Sequence, residues 1–298
     1  MKPSNFEYFA PDNINEAISI LDQNSEARIL AGGQSLVPSM NFRLTSPSHL
    51  IDLKNIENLD KITIENNQIK VGALVTHSEL EFYPEIENLN PLIFNAMKYV
   101  AHTPIGNRGT TVGSICHADA AAEMPLILLM TDGYVLANGP SGSREVLASD
   151  LFQFHMTTSL NQNEVVTQAV FGCISSNKGT SFKEFARRHG DYAIAAVSVI
   201  IDFNENETIK DVKIGSCGIA SKPVRLKECE QVMLGNKLSQ ETLDKVKELS
   251  SNYVTAEDDF HATNSYRKHL LSNLLNEALL EAKKNGSLLS INKVKLHF

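Results

Sequence analysis

The chain is poor in cysteine, and the four it has are scattered: Cys116, Cys173, Cys217 and Cys229 among 298 residues, with no Cys-x-x-Cys pair. An iron–sulfur cluster takes four thiolates from closely spaced motifs, so this chain is expected to hold no cluster of its own. Positive charge is also short. Lys plus Arg total 27 against 35 Asp plus Glu, a net charge of −8, which repels a polyanion overall and excludes nucleic acid as an expected partner. No apolar run approaches the roughly 18 residues a membrane helix needs; the longest are Pro125 to Met130 and Ala193 to Ile201. A GxGxxG dinucleotide fingerprint is missing, and no second His or Cys stands at zinc-like spacing from His117. Met1 to Ala10 lacks a basic-then-apolar leader pattern, so a reduced, cytoplasmic protein is expected. There is no internal repeat and no low-complexity tract.

What is present suffices for a folded globule. Apolar residues make up 42% and charged residues 21%, enough apolar material to offset ordering entropy. The length exceeds the usual single core and predicts two or three packed units.

Periodicity places the elements. Asn13 is a helix N-cap before Ile14, Ala17, Ile18 and Leu21, an apolar face at three- and four-residue spacing. Arg28 to Ala31 reads as a strand that stops at Gly32-Gly33 and gives way to a short helix. His49 to Leu53 is a second strand, and Ile62–Ile64 with Ile69–Val71 flank Asn66-Asn67 as a hairpin. Pro91 to Val100 carries a helical stripe. Thr103 to Ser114 reads as a long polar, glycine-rich loop. Glu123 to Met130 is a buried helix, with strands at Tyr134–Ala137, Arg144–Leu147 and Glu164–Phe171. After a polar connector at 172–180 come antiparallel strands at 181–188, 193–203 and 209–216, then helices at 240–253 and 265–284. Lys293 to Phe298 alternates and fits either a terminal strand or an ordered tail. The divisions this implies are 1–55, 56–175 and 176–298.

The most informative segment is Leu30-Ala31-Gly32-Gly33-Gln34-Ser35-Leu36. Paired glycines after a strand permit positive φ and bring bare amides against a ligand, with Ser35 adding a hydroxyl. Such a nest suits a pyrophosphate, and it lets an acidic protein hold an anion at short range. Taken alone, it is equally a tight strand-to-helix turn. A second hydroxyl- and glycine-rich segment, Asn107 to Ser114, runs into Ile115-Cys116-His117-Ala118-Asp119 and on to Glu123. Two such segments in one domain can clamp a two-ended ligand such as a dinucleotide.

Four blocks in order then match a family: Ala31 to Leu36, Asn107 to Thr110, Gly113 to Asp119 with Glu123-Met124-Pro125, and Ala186 to Ala193. Together they resemble the FAD-binding medium subunit of the molybdenum hydroxylases, a group that includes carbon monoxide dehydrogenase and the flavin portion of xanthine dehydrogenase. The likeness runs from about Phe6 to Tyr266-Arg267-Lys268-His269. It implies an α+β architecture: a p-cresol methylhydroxylase (vanillyl-alcohol oxidase)-type FAD fold of two α/β subdomains, then a C-terminal antiparallel sheet and helix domain. It implies FAD as cofactor, wrapped at its pyrophosphate by Leu30, Ala31, Gly32, Gly33, Gln34, Ser35, Leu36 and Val37. Thr110, Thr111, Gly113 and Ser114 would close the other side. Asp119 and Glu123 would meet ribityl or ribose hydroxyls, where a carboxylate accepts two hydrogen bonds. Val165 and Val166 would offer apolar surface. Lys183 matches a flavin-contacting lysine, whose charge would favour reduction, and Tyr192 an aromatic covering the ring system. No residue is assigned direct acid–base catalysis.

The resemblance also implies partners: a large molybdopterin subunit and a small subunit with two 2Fe–2S clusters, assembled as a dimer of heterotrimers, with electrons passing through FAD here to an external acceptor. A stand-alone FAD oxidoreductase of the same fold and a non-redox assembly subunit are the alternatives. Two departures bear on them. Gly106 stands where relatives carry Arg, and Val112 where they carry Gly, a β-branched residue that resists positive φ.

Overall fold

The computed structural model describes residues 2–295. In chain order its elements are β1 (Glu7–Phe9), α1 (Ile14–Gln23), β2 (Ala27–Leu30), α2 (Leu36–Asn41), β3 (His49–Asp52), β4 (Ile62–Glu65), β5 (Gln68–Gly72), α3 (His77–Glu81), α4 (Ile86–Leu89), α5 (Pro91–Met97), α6 (Thr103–Gly106) and α7 (Thr111–His117). There follow α8 (Glu123–Met130), β6 (Tyr134–Gly139), β7 (Gly142–Leu147), α9 (Ala148–Leu151), β8 (Phe152–Phe154), β9 (Thr157–Thr158), β10 (Val165–Gly172), β11 (Gly179–Phe185), β12 (Ala195–Phe203), β13 (Ile209–Cys217), β14 (Val224–Arg225), α10 (Lys227–Met233), α11 (Gln240–Ser250) and α12 (Asn264–Lys295).

The chain forms two compact units. The first takes the chain up to Tyr83 together with His102–Ala118 and Asp132–Gly172. It contains a parallel sheet in the order β1-β3-β2 and an antiparallel sheet in the order β4-β5-β10-β6-β7. Asn13 caps α1 as its position predicts, its side chain accepting from the Glu16 amide at 3.0 Å. Thr76 and Glu79 close a full capping box on α3, which fixes the start of that helix by satisfying two amides reciprocally.

Residues 103–114 differ from the expected loop. They hold α6 and the start of α7, because Pro104 occupies the first turn of one and Thr110 caps the other. Val112 is accordingly a buried residue in the first turn of α7, with no positive φ. Its β-branch carries no strain there. The strand expected at 181–188 ends at Phe185, where Ile194 N–H returns to the Phe185 carbonyl and closes the connection to β12. At the other end of the sequence, α12 is helical to Lys295, in place of a strand, and Leu296 to Phe298 lie outside the described residues.

The second unit takes Pro84–Ala101, Asp119–Thr131 and the chain from Cys173 onward. Its antiparallel sheet runs β11-β12-β13-β14. One face bears Ala195, Val197, Val199, Ile201 and Ile214, buried against Leu271, Leu275 and Leu279 of α12. The opposite face meets α8 and α5: a Cβ on Gly215 would reach Leu126 Cδ1 at 2.8 Å, and the Phe182 and Tyr99 rings lie 5.4 Å apart. Arg267 of α12 is buried, and its Nη1 donates to the carbonyls of Ile194 and Gly218, each at 2.6 Å, while Nη2 reaches Asp259 at 2.7 Å. Gly218 takes φ +78, with no room for a Cβ beside the Ile194 carbonyl. No helix among the described residues is long and apolar enough to cross a membrane.

Candidate functional site

In the first unit, Leu30 ends β2 and the chain turns through Gly33 at φ +71 into α2. Three carbonyls of this turn are used internally. Gly33 O accepts from Val37 N–H at 3.0 Å, Gly32 O from Gln34 Nε2 at 3.1 Å, and Ser35 O from the Ser39 amide and hydroxyl at 3.2 and 2.9 Å. With acceptors satisfied inward, the amide side of the turn is what a ligand can meet. A Cβ on Gly32 would clash with the Arg108 carbonyl and lie 2.7 Å from Gly109 Cα. The two glycine-containing segments therefore touch, and glycine at 32 is what allows it.

The second segment accounts for its amides differently. Thr111 N–H donates to Val75 O at 3.1 Å, Gly113 N–H to Thr110 Oγ1 at 3.1 Å, and Ser114 N–H to Thr110 O at 3.0 Å. Gly113 is small for the sake of this cap, since a Cβ there would lie 2.6 Å from Thr110 Oγ1. Three of its amides are thus committed. Beneath it sits His77, whose N–H donates to Gly109 O at 2.9 Å and whose ring lies 3.5 Å from Thr111 Oγ1. Burial pushes this imidazole down to about 4, so it is neutral at pH 7. Val165 and Val166 are buried in β10, and successive strand residues project to opposite faces. The structure does not bring both to one side.

Asp119, Glu123, Lys183 and Tyr192 belong to the second unit. Asp119 Oδ1 accepts from Ala121 N–H at 2.9 Å in the turn before α8, and Glu123 opens that helix. Burial pushes the Glu123 carboxyl above its usual range, its own amide pulls it partly back, and the Asp119 charge adds to the rise. Lys183 projects from the sheet face that meets α12, where its Nζ lies 2.9 Å from Glu281 Oε1. Glu281 also accepts from the Ser181 hydroxyl. Burial raises this carboxyl, but the bonds from Ser181 and Lys183 outweigh it and hold the group below its usual range. Tyr192 lies in the connection between β11 and β12 and is half exposed.

The residues missed by sequence reasoning are His77 and Glu184. Thr76-x-x-Glu79 is a legible capping signature that would have drawn attention to His77. Glu184 follows Lys183 directly and so faces the other side of the sheet, toward α8.

The FAD binding domain in molybdopterin dehydrogenase matches residues 4–171, and the CO dehydrogenase flavoprotein C-terminal domain matches residues 180–282. The nicotine 6-hydroxylase medium subunit of Paenarthrobacter nicotinovorans is 35% identical over 95% of this chain and 99% of its own length. The 6-hydroxypseudooxynicotine dehydrogenase complex subunit alpha of the same organism is 33% identical over 95% and 96%. Among solved structures, carbon monoxide dehydrogenase from Hydrogenophaga pseudoflava superposes with a TM-score of 0.92 at 28% identity, covering 96% of this chain and 99% of that one. These define an oxidoreductase flavoprotein whose cofactor is FAD. The chain belongs to the FAD-binding medium-subunit family of the molybdenum hydroxylases.

Proposed function

We propose that this chain is the electron-transfer subunit of a heteromeric molybdenum hydroxylase. A large molybdopterin subunit hydroxylates the substrate, and a small subunit with 2Fe–2S clusters passes the electrons on to this chain for delivery to an external acceptor. The observation that carries the reading is the Gly32–Ser35 turn, where the Gly32, Gly33 and Ser35 carbonyls are satisfied internally, within a region matched to an FAD domain. The fit to FAD is chemical: a doubly anionic pyrophosphate against amides, in a chain whose net charge of −8 offers no general attraction. FAD, when bound, supplies the redox chemistry, and the protein supplies position and electrostatics.

On this reading Leu30 to Val37 hold the pyrophosphate, with Gly33 supplying the left-handed bend. Thr110, Thr111 and Ser114 contribute hydroxyls, while Gly113 serves by admitting the cap. Asp119 and Glu123 accept from sugar hydroxyls, Lys183 and Tyr192 face the ring system, and one of Val165 and Val166 adds apolar surface. Lys183 meets the ring at the cost of its bond to Glu281, or keeps that bond and acts at longer range. The fold is of the p-cresol methylhydroxylase type, divided as 1–55, 56–175 and 176–298, in a dimer of heterotrimers working in the cytoplasm.

The test begins with purification. Protein that takes up FAD with absorption near about 450 nm, and that co-purifies with one iron-containing and one molybdenum-containing chain, supports the reading. Protein that stays colourless in added FAD refutes it.

A further inference from the structure

Within the second unit, α11 and α12 pack together and leave a cleft of about 230 Å³ between them, open on one side. Its floor is apolar. Leu243 and Val246 come from α11 and Leu275 and Leu279 from α12, and all but Leu243 are buried. Half-exposed Leu280 extends this surface to the rim. Residues 240, 243, 244 and 247 fall on one stripe of α11, so Asp244 and Lys247 stand one turn apart beside Leu243 at the cleft. The rim thus carries one charge of each sign. Gln240 Nε2 donates to Asp244 Oδ1 at 2.9 Å, which steadies that carboxylate, and Lys247 has no ion-pair partner among the described residues.

A second observation comes from α12. Ser272 lines the same cleft, is 8% exposed, and its Oγ is buried with no hydrogen-bond partner. A buried hydroxyl left unpaired is destabilising and is rare in folded chains. One χ1 step redirects a serine hydroxyl, so a polar atom seated in the cleft would satisfy it. Size narrows the occupant further. A cavity of about 150 Å³ accepts benzene, so about 230 Å³ suits a ligand of about nine non-hydrogen atoms, the size of leucine.

We propose that the α11–α12 cleft binds a free aliphatic α-amino acid. Its side chain lies on Leu243, Val246, Leu275 and Leu279, its carboxylate faces Lys247, its ammonium faces Asp244, and the Ser272 hydroxyl adds a hydrogen bond. The paired charges select a zwitterion. A simple carboxylate would meet Lys247 but bring its charge beside Asp244 without compensation, and a simple amine would do the reverse at Lys247. The apolar floor selects against glycine, which has no side chain to cover it. The site lies within one unit and does not depend on the FAD reading.

The experiment titrates the full-length chain with L-leucine, 4-methylpentanoate, 3-methylbutylamine and glycine, reading binding by saturation-transfer NMR and the unfolding midpoint by thermal denaturation. Leucine should bind saturably and raise the midpoint. The carboxylate and the amine, each lacking one charge, should bind about tenfold more weakly, and glycine should not bind. Lys247→Gln, an exposed substitution, should weaken leucine about fivefold and leave the amine unchanged. Ser272→Ala separates a ligand contact from a structural serine by sign: without ligand its midpoint should rise, because an unpaired hydroxyl is gone, while its leucine affinity should fall about threefold. Wild type with no saturable leucine binding overturns the proposal. So does equal binding of leucine and 4-methylpentanoate, which would make the cleft a plain carboxylate site, or equal leucine binding in wild type and Lys247→Gln. FAD uptake, measured alongside, should be the same in both variants as in wild type, and its absence would refute the functional reading while leaving the leucine result to stand.

Discussion

The Gly32–Ser35 turn and the Thr110–Ser114 segment are built from similar residues, lie against each other in one unit, and resolve their hydrogen bonds in opposite senses. In the first, carbonyls are consumed inward. In the second, amides are consumed by Val75 and by Thr110 itself. The lesson is that glycine and hydroxyl content indicates where a backbone can approach a ligand, but only the accounting of donors and acceptors indicates which side faces it. A turn with spare amides meets an anion through the main chain, and a capped helix start has fewer amides left to do so.

The contrast can be broken most severely at Gly32. Gly32→Ala forces the Arg108–Gly109 backbone aside and should cost about 3 kcal/mol or more, abolishing FAD uptake together with a large drop in unfolding midpoint. Acid should come next. Burial holds His77 neutral in the folded chain, down to about 4 from its ordinary value of 6.5. Between about pH 6.5 and 4 the unfolded chain binds the proton and the folded chain does not, so stability falls with pH across that window by about 3 kcal/mol. His77→Gln should remove this share of the acid sensitivity in denaturant titrations.

Gly33→Ala should cost about 1–2 kcal/mol, the penalty for a Cβ at positive φ, and should weaken FAD binding in proportion. Gly33→Asn should cost less, since asparagine tolerates that region. The mildest is Thr110→Ala, where loss of the cap should cost about 1 kcal/mol. Its FAD affinity should fall little, because the amide released at Gly113 partly replaces the lost hydroxyl. A Thr110→Ala protein that keeps its unfolding midpoint and loses FAD would reverse the assignment of the two segments.

Much of the frame was legible in the sequence. The Asn13 cap, the strand before Gly32-Gly33 and the hairpin around Asn66-Asn67 follow from local chemistry and are present. The helices at 103–117 were not legible, because a few turns rich in Gly and Thr have the composition of a loop and are made helical by Pro104 and Thr110 at their starts. Val112 looked like a departure for the same reason. A requirement for positive φ was assumed where the chain is right-handed. Alternation along β11 does place Lys183 and Glu184 on opposite faces, yet nothing local reveals that one face meets Glu281 and the other the Glu123 carboxyl. Those neighbours are separated by about a hundred and about sixty residues of sequence, and only the packed sheet brings them into range.

Arg267 carries a consequence for motion. One guanidinium holds the carbonyl just ahead of β12, the carbonyl at the left-handed Gly218 just after β13, and the Asp259 carboxylate. None of these can open without releasing a buried cation, so the first turn of α12 and the adjoining strand ends should exchange their amide hydrogens as one cooperative block. The connection bearing Tyr192 runs into that block at Ile194, whose amide and carbonyl are both held, so protection is expected to rise there.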